Sequence, residues 1–277
     1  MKMGKRLIAI LALTMFLSGV SFEAAHADIM LLPIRTVFKD RDRTKTLTVV
    51  NTADRAATFK LSFYHQKQIP SGGYEKQEGP INPDYDLSKM IVFSPRQVDL
   101  PPGEKQSIRF SLRRPANFPD GEYRVHLKLQ RLGNSGPELQ PVNKKGPSGK
   151  VTINVGFSVP VIVRQGVNDA KATIVEPTFT RGSADGKKPP MIEFFLDRTG
   201  KFSTLGRADI FWTPSGGGDE KKVGTLNDLN VYAETPRRSV KIGLQNKEVN
   251  GGTFRIVYEG DDADKGILFD EKSFTAK

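Results

Sequence analysis

Cysteine is absent from this 277-residue chain, and histidine occurs only three times. Without thiols there is no disulfide framework, no thiolate nucleophile and no cysteine zinc site, so the fold must be held by packed apolar cores. His26 falls in a segment expected to be removed, which leaves His65 and His126. A Ser-His-acid hydrolase would have to use one of these two, and neither lies in a nucleophile-elbow context. No enzyme activity, catalytic residue, metal site or cofactor is therefore expected. Beyond the N-terminus the chain also lacks an apolar stretch of spanning length, a long amphipathic helix, and any sequence repeat between its halves.

What is present begins with a leader. Lys2, Lys5 and Arg6 precede a mostly apolar run from Leu7 to Val20, and Ala25-His26-Ala27 is a small-x-small cleavage site. This is the pattern of a signal peptide over residues 1–27, cleaved after Ala27. Its apolar run is too short for a stable membrane span. The formal net charge is +11. Export makes nucleic acid an unexpected partner, whereas acidic partners, envelope surfaces or plain solubility all accommodate that charge.

Short alternating segments bounded by Gly, Pro, Asn and Asp recur along the chain, the pattern of an all-β sandwich protein. Strands are expected over Ile29 to Phe38 (interrupted by Pro33, which suits an edge strand or one that switches sheets), Thr46 to Asn51, Ala57 to His65, Met90 to Phe93 and Gln106 to Leu112. In Glu122 to Leu132, Tyr123, Val125, Leu127 and Leu129 form one face, and Arg124, His126, Lys128 and Gln130 the other. Gln165-Gly166-Val167-Asn168-Asp169 breaks the pattern and marks a boundary, giving domains over residues 28–166 and 167–277. Beyond it, about seven further strands between Ala172 and Phe274 predict a second, smaller sandwich.

One stretch has two readings. From Val151 to Val163 every odd position is apolar, while Thr152, Asn154, Gly156 and Ser158 are small or polar. Period two over this length means a strand with one face committed to an apolar neighbour. It is either an ordinary core strand, or a strand whose earlier half is presented to another polypeptide.

Four segments in order carry a family resemblance: Leu32-Pro33-Ile34-Arg35-Thr36-Val37-Phe38 with Leu47-Thr48-Val49-Val50-Asn51; Ser94-Pro95 through Leu100-Pro101-Pro102-Gly103 to Arg109; Pro119-Asp120-Gly121-Glu122-Tyr123-Arg124; and Val161-Ile162-Val163-Arg164. Together they resemble the periplasmic pilus chaperones of the chaperone–usher pathway, over most of Asp28 to Arg164. The resemblance implies two immunoglobulin-like β-sandwich domains set at an angle, and a periplasmic location. It also implies donor-strand complementation of pilin-like subunits, which the chaperone delivers to an outer-membrane usher. Val151, Ile153, Val155 and Phe157 would then fill the subunit's open groove, and Arg35 would hold its C-terminal carboxylate. Glu122, Arg164 and Asp261 would form an acid–arginine–acid link between the domains. Self-association of the free protein through its exposed edge is a further possibility. Two departures stand out. Pro160 takes the place of the family's donor-strand lysine, and the stretch after Glu122 lacks the usual Ser and Asn. The rival reading is a two-domain envelope-binding or adhesion module, with Lys144, Lys145, Lys187 and Lys188 on an acidic glycan or lipopolysaccharide.

Overall fold

A computed structural model describes residues 29–132, 156–183, 185–246 and 248–276. The first sandwich is built from β1 (Ile29–Leu32), β2 (Thr36–Phe38), β3 (Thr44–Asn51), β4 (Ala57–Tyr64), β7 (Ile91–Ser94), β8 (Gln97–Leu100), β9 (Lys105–Leu112), β10 (Gly121–Leu132) and β11 (Gly156–Gln165). A small hairpin, β5 (Gln66–Gln68) and β6 (Tyr74–Lys76), and a one-turn helix, α1 (Leu87–Met90), lie between β4 and β7. The second sandwich comprises β12 (Lys171–Thr180), β13 (Met191–Thr199), β14 (Thr204–Thr213), β15 (Lys221–Val231), β16 (Arg237–Gly243), β17 (Gly252–Gly260) and β18 (Leu268–Ala276).

The first sandwich packs the sheet β1-β3-β9-β7 on the sheet β2-β11-β10-β4-β8. The apolar segment around Pro33 splits: β1 pairs antiparallel with β3, and β2 pairs parallel with β11. One short stretch thus edges both sheets, with a proline where the chain crosses, because proline has no N–H for a ladder. Alternation then fills the core. Leu47 and Val49 on β3, Phe59 and Leu61 on β4, Ile108 and Phe110 on β9 and Tyr123, Val125, Leu127 and Leu129 on β10 all point inward and are buried. The second sandwich packs β12-β13-β16 on β15-β14-β17-β18 around Ile192, Phe194, Ile210, Phe254, Ile256 and their neighbours.

A third, smaller apolar cluster lies between the two sandwiches: Ile162 from β11 meets Leu205 and Tyr232 of the second, with Val37 and Ala263 against them. Burial reaches the outer face of β10 as well. Arg124 and His126, which alternation places on a polar face, are buried, while Gln130 further along the same face is exposed. Alternation reports on a strand's own sheet, and the second sandwich and the β5–β6 hairpin cover the end of β10 nearest the junction.

Leu127 is fully buried between the two sheets of the first sandwich. Leu127→Ala is expected to destabilise that sandwich by about 2–5 kcal/mol, by lost transfer energy plus the cavity left. Urea unfolding followed by circular dichroism measures it.

Candidate partner-binding site

The edge of the second sheet is asymmetric. β11 pairs with β10 along its whole described length, from Gly156 opposite Gln130 to Gln165 opposite Gly121. On its other side β2 covers only Val161 to Val163. Among the described residues, no strand pairs with that side of Gly156 to Pro160. Phe157 is half-buried and packs against the first core, and Val159 is buried within it. Val151, Ile153 and Val155 lie outside the described residues, as do Lys144, Lys145 and the leader. β1 edges the facing sheet, and Met30, Leu32 and Ile34, along β1 and the crossing to β2, are about half exposed (48, 49 and 49 %).

Arg35, just before β2, is buried and already engaged. Nη1 donates to Asn230 Oδ1 at 2.7 Å, Nη2 to Asp228 Oδ1 at 2.6 Å, and Nε lies 3.7 Å from Asp262 Oδ2. All three partners belong to the second sandwich. The two acids sit on left-handed backbone, with φ of 55° at Asp228 and 51° at Asp262, an uncommon conformation for a residue with a Cβ. The guanidinium forms one wall of a cleft of about 360 Å³ that Pro33, Lys39, Lys45 and Asp262 also line.

A second buried guanidinium sits at the junction of the sandwiches. Glu122 and Arg164 face each other across β10 and β11, with Arg164 Nε donating to Glu122 Oε2 at 2.9 Å. Nη1 and Nη2 both donate to the carboxylate of Asp264, and Nη2 also to the Ser203 carbonyl at 2.8 Å. Burial works against the Arg164 charge, but Glu122 and Asp264 outweigh it and hold its pKa above the ordinary value. Ser203 returns to Glu122 through both its hydroxyl and its backbone N–H. Arg198 gathers the carbonyls of Gly200 and Phe202 at 2.8 and 2.9 Å and so fixes the loop that presents Ser203.

The second acid on Arg164 is Asp264, which corrects the expectation of Asp261. After Gly260 the chain makes a single 3-10 turn, Asp262–Asp264. Asp261 caps that turn, accepting from the N–H of Asp262 at 2.7 Å, and its own N–H goes to the Leu205 carbonyl. One turn later the chain points inward, so Asp264 is buried and also accepts from Leu205 N and Asn168 Nδ2, each at 3.0 Å. The turn closes tightly: a Cβ on Gly260 would lie 2.0 Å from the Asp264 carbonyl oxygen.

No protein-family model matches the chain, and no curated protein matches it. Solved structures do. One is the complex of the CsuC chaperone with the CsuE tip adhesion subunit of archaic Csu pili of Acinetobacter baumannii, at 13 % identity over 90 % of this chain and 98 % of that one (TM-score 0.41). A second is the Salmonella enterica SafA pilin in complex with the SafB chaperone, at 12 % identity over 91 % and 98 % (TM-score 0.41). A third is the E. coli chaperone DraB, at 15 % identity over 90 % and 98 % (TM-score 0.39).

Sequence reading missed the β5–β6 hairpin, which reaches from the first sandwich onto the second. Gln68 donates from its backbone N to Glu234 and from Nε2 to the Asn230 carbonyl. Its Oε1 accepts from Tyr232 N, and its carbonyl from the Thr235 hydroxyl. The Pro70 carbonyl accepts from Ser239 N at 2.7 Å. Arg124, beneath the hairpin, stacks on the Tyr232 ring at 3.6 Å and pairs with Glu234. His126 is buried beside Tyr74 with neither ring nitrogen hydrogen-bonded, opposite Pro160 and Tyr64 on the flanking strands. Burial, then Arg124 and His65, push its pKa down to about 3.

Removing Asp264 would leave the Arg164 charge buried without its bidentate partner. Asp264→Ala is expected to cost about 3–5 kcal/mol, whereas Asp261→Ala should cost about 1 kcal/mol, the loss of a cap; chemical denaturation separates them. His126 holds no proton in the folded state until pH falls to about 3, while the unfolded chain takes one up near pH 6.5. The unfolded state therefore binds more protons across that window, and stability should decline as pH falls through it. His126→Leu should flatten the decline in melting temperature between pH 7 and pH 4 relative to the parent protein; parallel curves would count against it.

Proposed function

We infer that the chain is a non-enzymatic periplasmic chaperone that binds pilin-like subunits by donor-strand complementation and passes them to an outer-membrane usher. In this reading residues 1–27 are a cleaved leader, residues 28–166 the subunit-binding domain and residues 167–277 the domain that completes the cleft. The observation that carries it is the one-sided pairing of β11: full on the β10 side, open on the other from Gly156 to Pro160. The open portion leads back into the alternating sequence Val151-Thr152-Ile153-Asn154-Val155. A subunit lacking its last strand would take the free backbone groups as a ladder and Val151, Ile153, Val155 and Phe157 as side chains for its groove. Four such side chains contribute about 1.5–3 kcal/mol each when fully buried, and association and ordering offset much of that.

Arg35 is the anchor for the subunit's terminal carboxylate, and it works by exchange. Its fork is held at rest by Asp228 and Asn230, so an incoming carboxylate replaces one oxyanion with another and no bare charge is created on the way. With Pro160 in place of a lysine, Lys39 and Lys45, which line the same cleft, are the cations that would assist.

Val155→Glu is expected to abolish co-purification of any subunit from periplasm while leaving the melting transition in place. Asp228→Asn weakens the resting contact and should raise subunit affinity about tenfold, the change for about 1.4 kcal/mol. Subunit capture that survives Val155→Glu would remove the donor-strand reading. Salt-sensitive binding to glycans that depends on Lys187 and Lys188 would favour the envelope-binding module instead.

A further inference from the structure

A cleft in the first sandwich lies away from the β11 edge, between the β2–β3 turn and the end of β9. It has a volume of about 620 Å³ and is lined by Asp40, Arg41, Arg43, Thr44, Ser111, Leu112, Arg113 and Arg114. Four arginines and one aspartate therefore line one concavity. The frame beneath them is regular: Thr44 pairs with Ser111, Leu112 N donates to the Arg43 carbonyl at 2.8 Å, and Arg113 N to the Met90 carbonyl at 2.9 Å. This pairing brings the chain ends that carry Arg43 and Arg113 together across two adjacent strands.

The charges are not internally neutralised. Arg41, Arg43 and Arg113 are exposed and make no ion pair among the described residues. Asp42, the other acid of the turn, is already taken by Lys45 at 2.8 Å and by the Lys39 N–H at 3.0 Å. Arg114 is half-buried among them. Its Nη1 donates to the Asp42 carbonyl at 2.7 Å, while Nε and Nη2, the two donors of its side-on fork, are out of solvent with no hydrogen-bond partner. Burial lowers its pKa, with Asp42 and Asp40 opposing. A half-buried guanidinium with unmet donors beside three exposed, unpaired arginines focuses positive potential into the cleft.

We propose that this cleft binds a phosphoryl group through Arg41, Arg43 and Arg113, with the half-buried Arg114 adding its charge. A single carboxylate satisfies one fork, whereas a phosphoryl dianion offers three oxygens to several forks at once, with the charge to match. The cleft has room for more than the oxyanion, so the group is borne on a larger molecule, either a soluble phosphate ester or a phospholipid headgroup. The site stands on residues separate from the β11 edge and does not depend on the chaperone reading.

Inorganic pyrophosphate is the probe, titrated into the full chain by calorimetry at two salt concentrations, with a tricarboxylate in parallel. Arg41→Ser with Arg113→Ser is the comparison variant, since both side chains are exposed and the melting transition should be retained. Pyrophosphate should bind, weaken with salt, and lose about tenfold or more in affinity in the variant, which lacks two charge-assisted contacts. Sedimentation with phosphatidylcholine vesicles containing phosphatidic acid identifies the source: binding that pyrophosphate competes away indicates a lipid headgroup, and pyrophosphate binding without vesicle binding indicates a soluble ester. Absence of pyrophosphate binding, equal binding by the variant, or equal binding of the tricarboxylate would overturn the site.

Discussion

A guanidinium taken out of water at the meeting of two sandwiches is an unstable thing unless every one of its donors is met. Arg164 is met by Glu122 from its own sheet and by Asp264 and the Ser203 carbonyl from the other domain. Charge burial of this kind adds little net stability, but it penalises every arrangement in which the partners are separated. The relation between the sandwiches is thereby tied to one geometry, and other contacts inherit it. Arg35 reaches Asp228 and Asn230, and Ile162 packs on Leu205 and Tyr232, only while the two domains stay in that register.

The strands were legible where one face met a core. Phe59, Leu61, Ile108, Phe110 and Tyr123, Val125, Leu127 and Leu129 of β10 announced themselves by period two, and each is buried where that period places it. Gln66–Gln68 and Tyr74–Lys76 were invisible for the opposite reason: their sequences, QKQ and YEK, are polar. They are ordered by hydrogen bonds to the other domain rather than by apolar burial. β8 was not among the expected strands: Gln97–Leu100 is only four residues long and is flanked by Pro95 and Pro101.

Site residues were legible in proportion to how local their setting was. Glu122 and Arg164 sit opposite each other on neighbouring strands, so a motif on each suffices to bring them together. The acid from the second domain could not be placed by counting, because a 3-10 turn shifts the inward-facing position from Asp261 to Asp264. Likewise nothing in Ile34-Arg35-Thr36 discloses that Asp228 and Asp262 lie against the arginine, as they are roughly two hundred residues away in sequence. The burial of Arg124 and His126 is equally non-local, being imposed by the hairpin and by Tyr232.

The hairpin also bears on how this architecture can be divided. Gly72 at its tip has φ of 87°, and a Cβ there would strike the Arg238 guanidinium, so the turn and the second domain are shaped to each other at van der Waals range. Four of Gln68's polar groups find partners only across the junction. The chain reads as two modules, yet one module's loop is part of the other's surface. Exchanging the C-terminal half with that of another protein of the same architecture would have to bring residues 66–76 along, or leave a row of unmatched backbone groups on both sides of the seam.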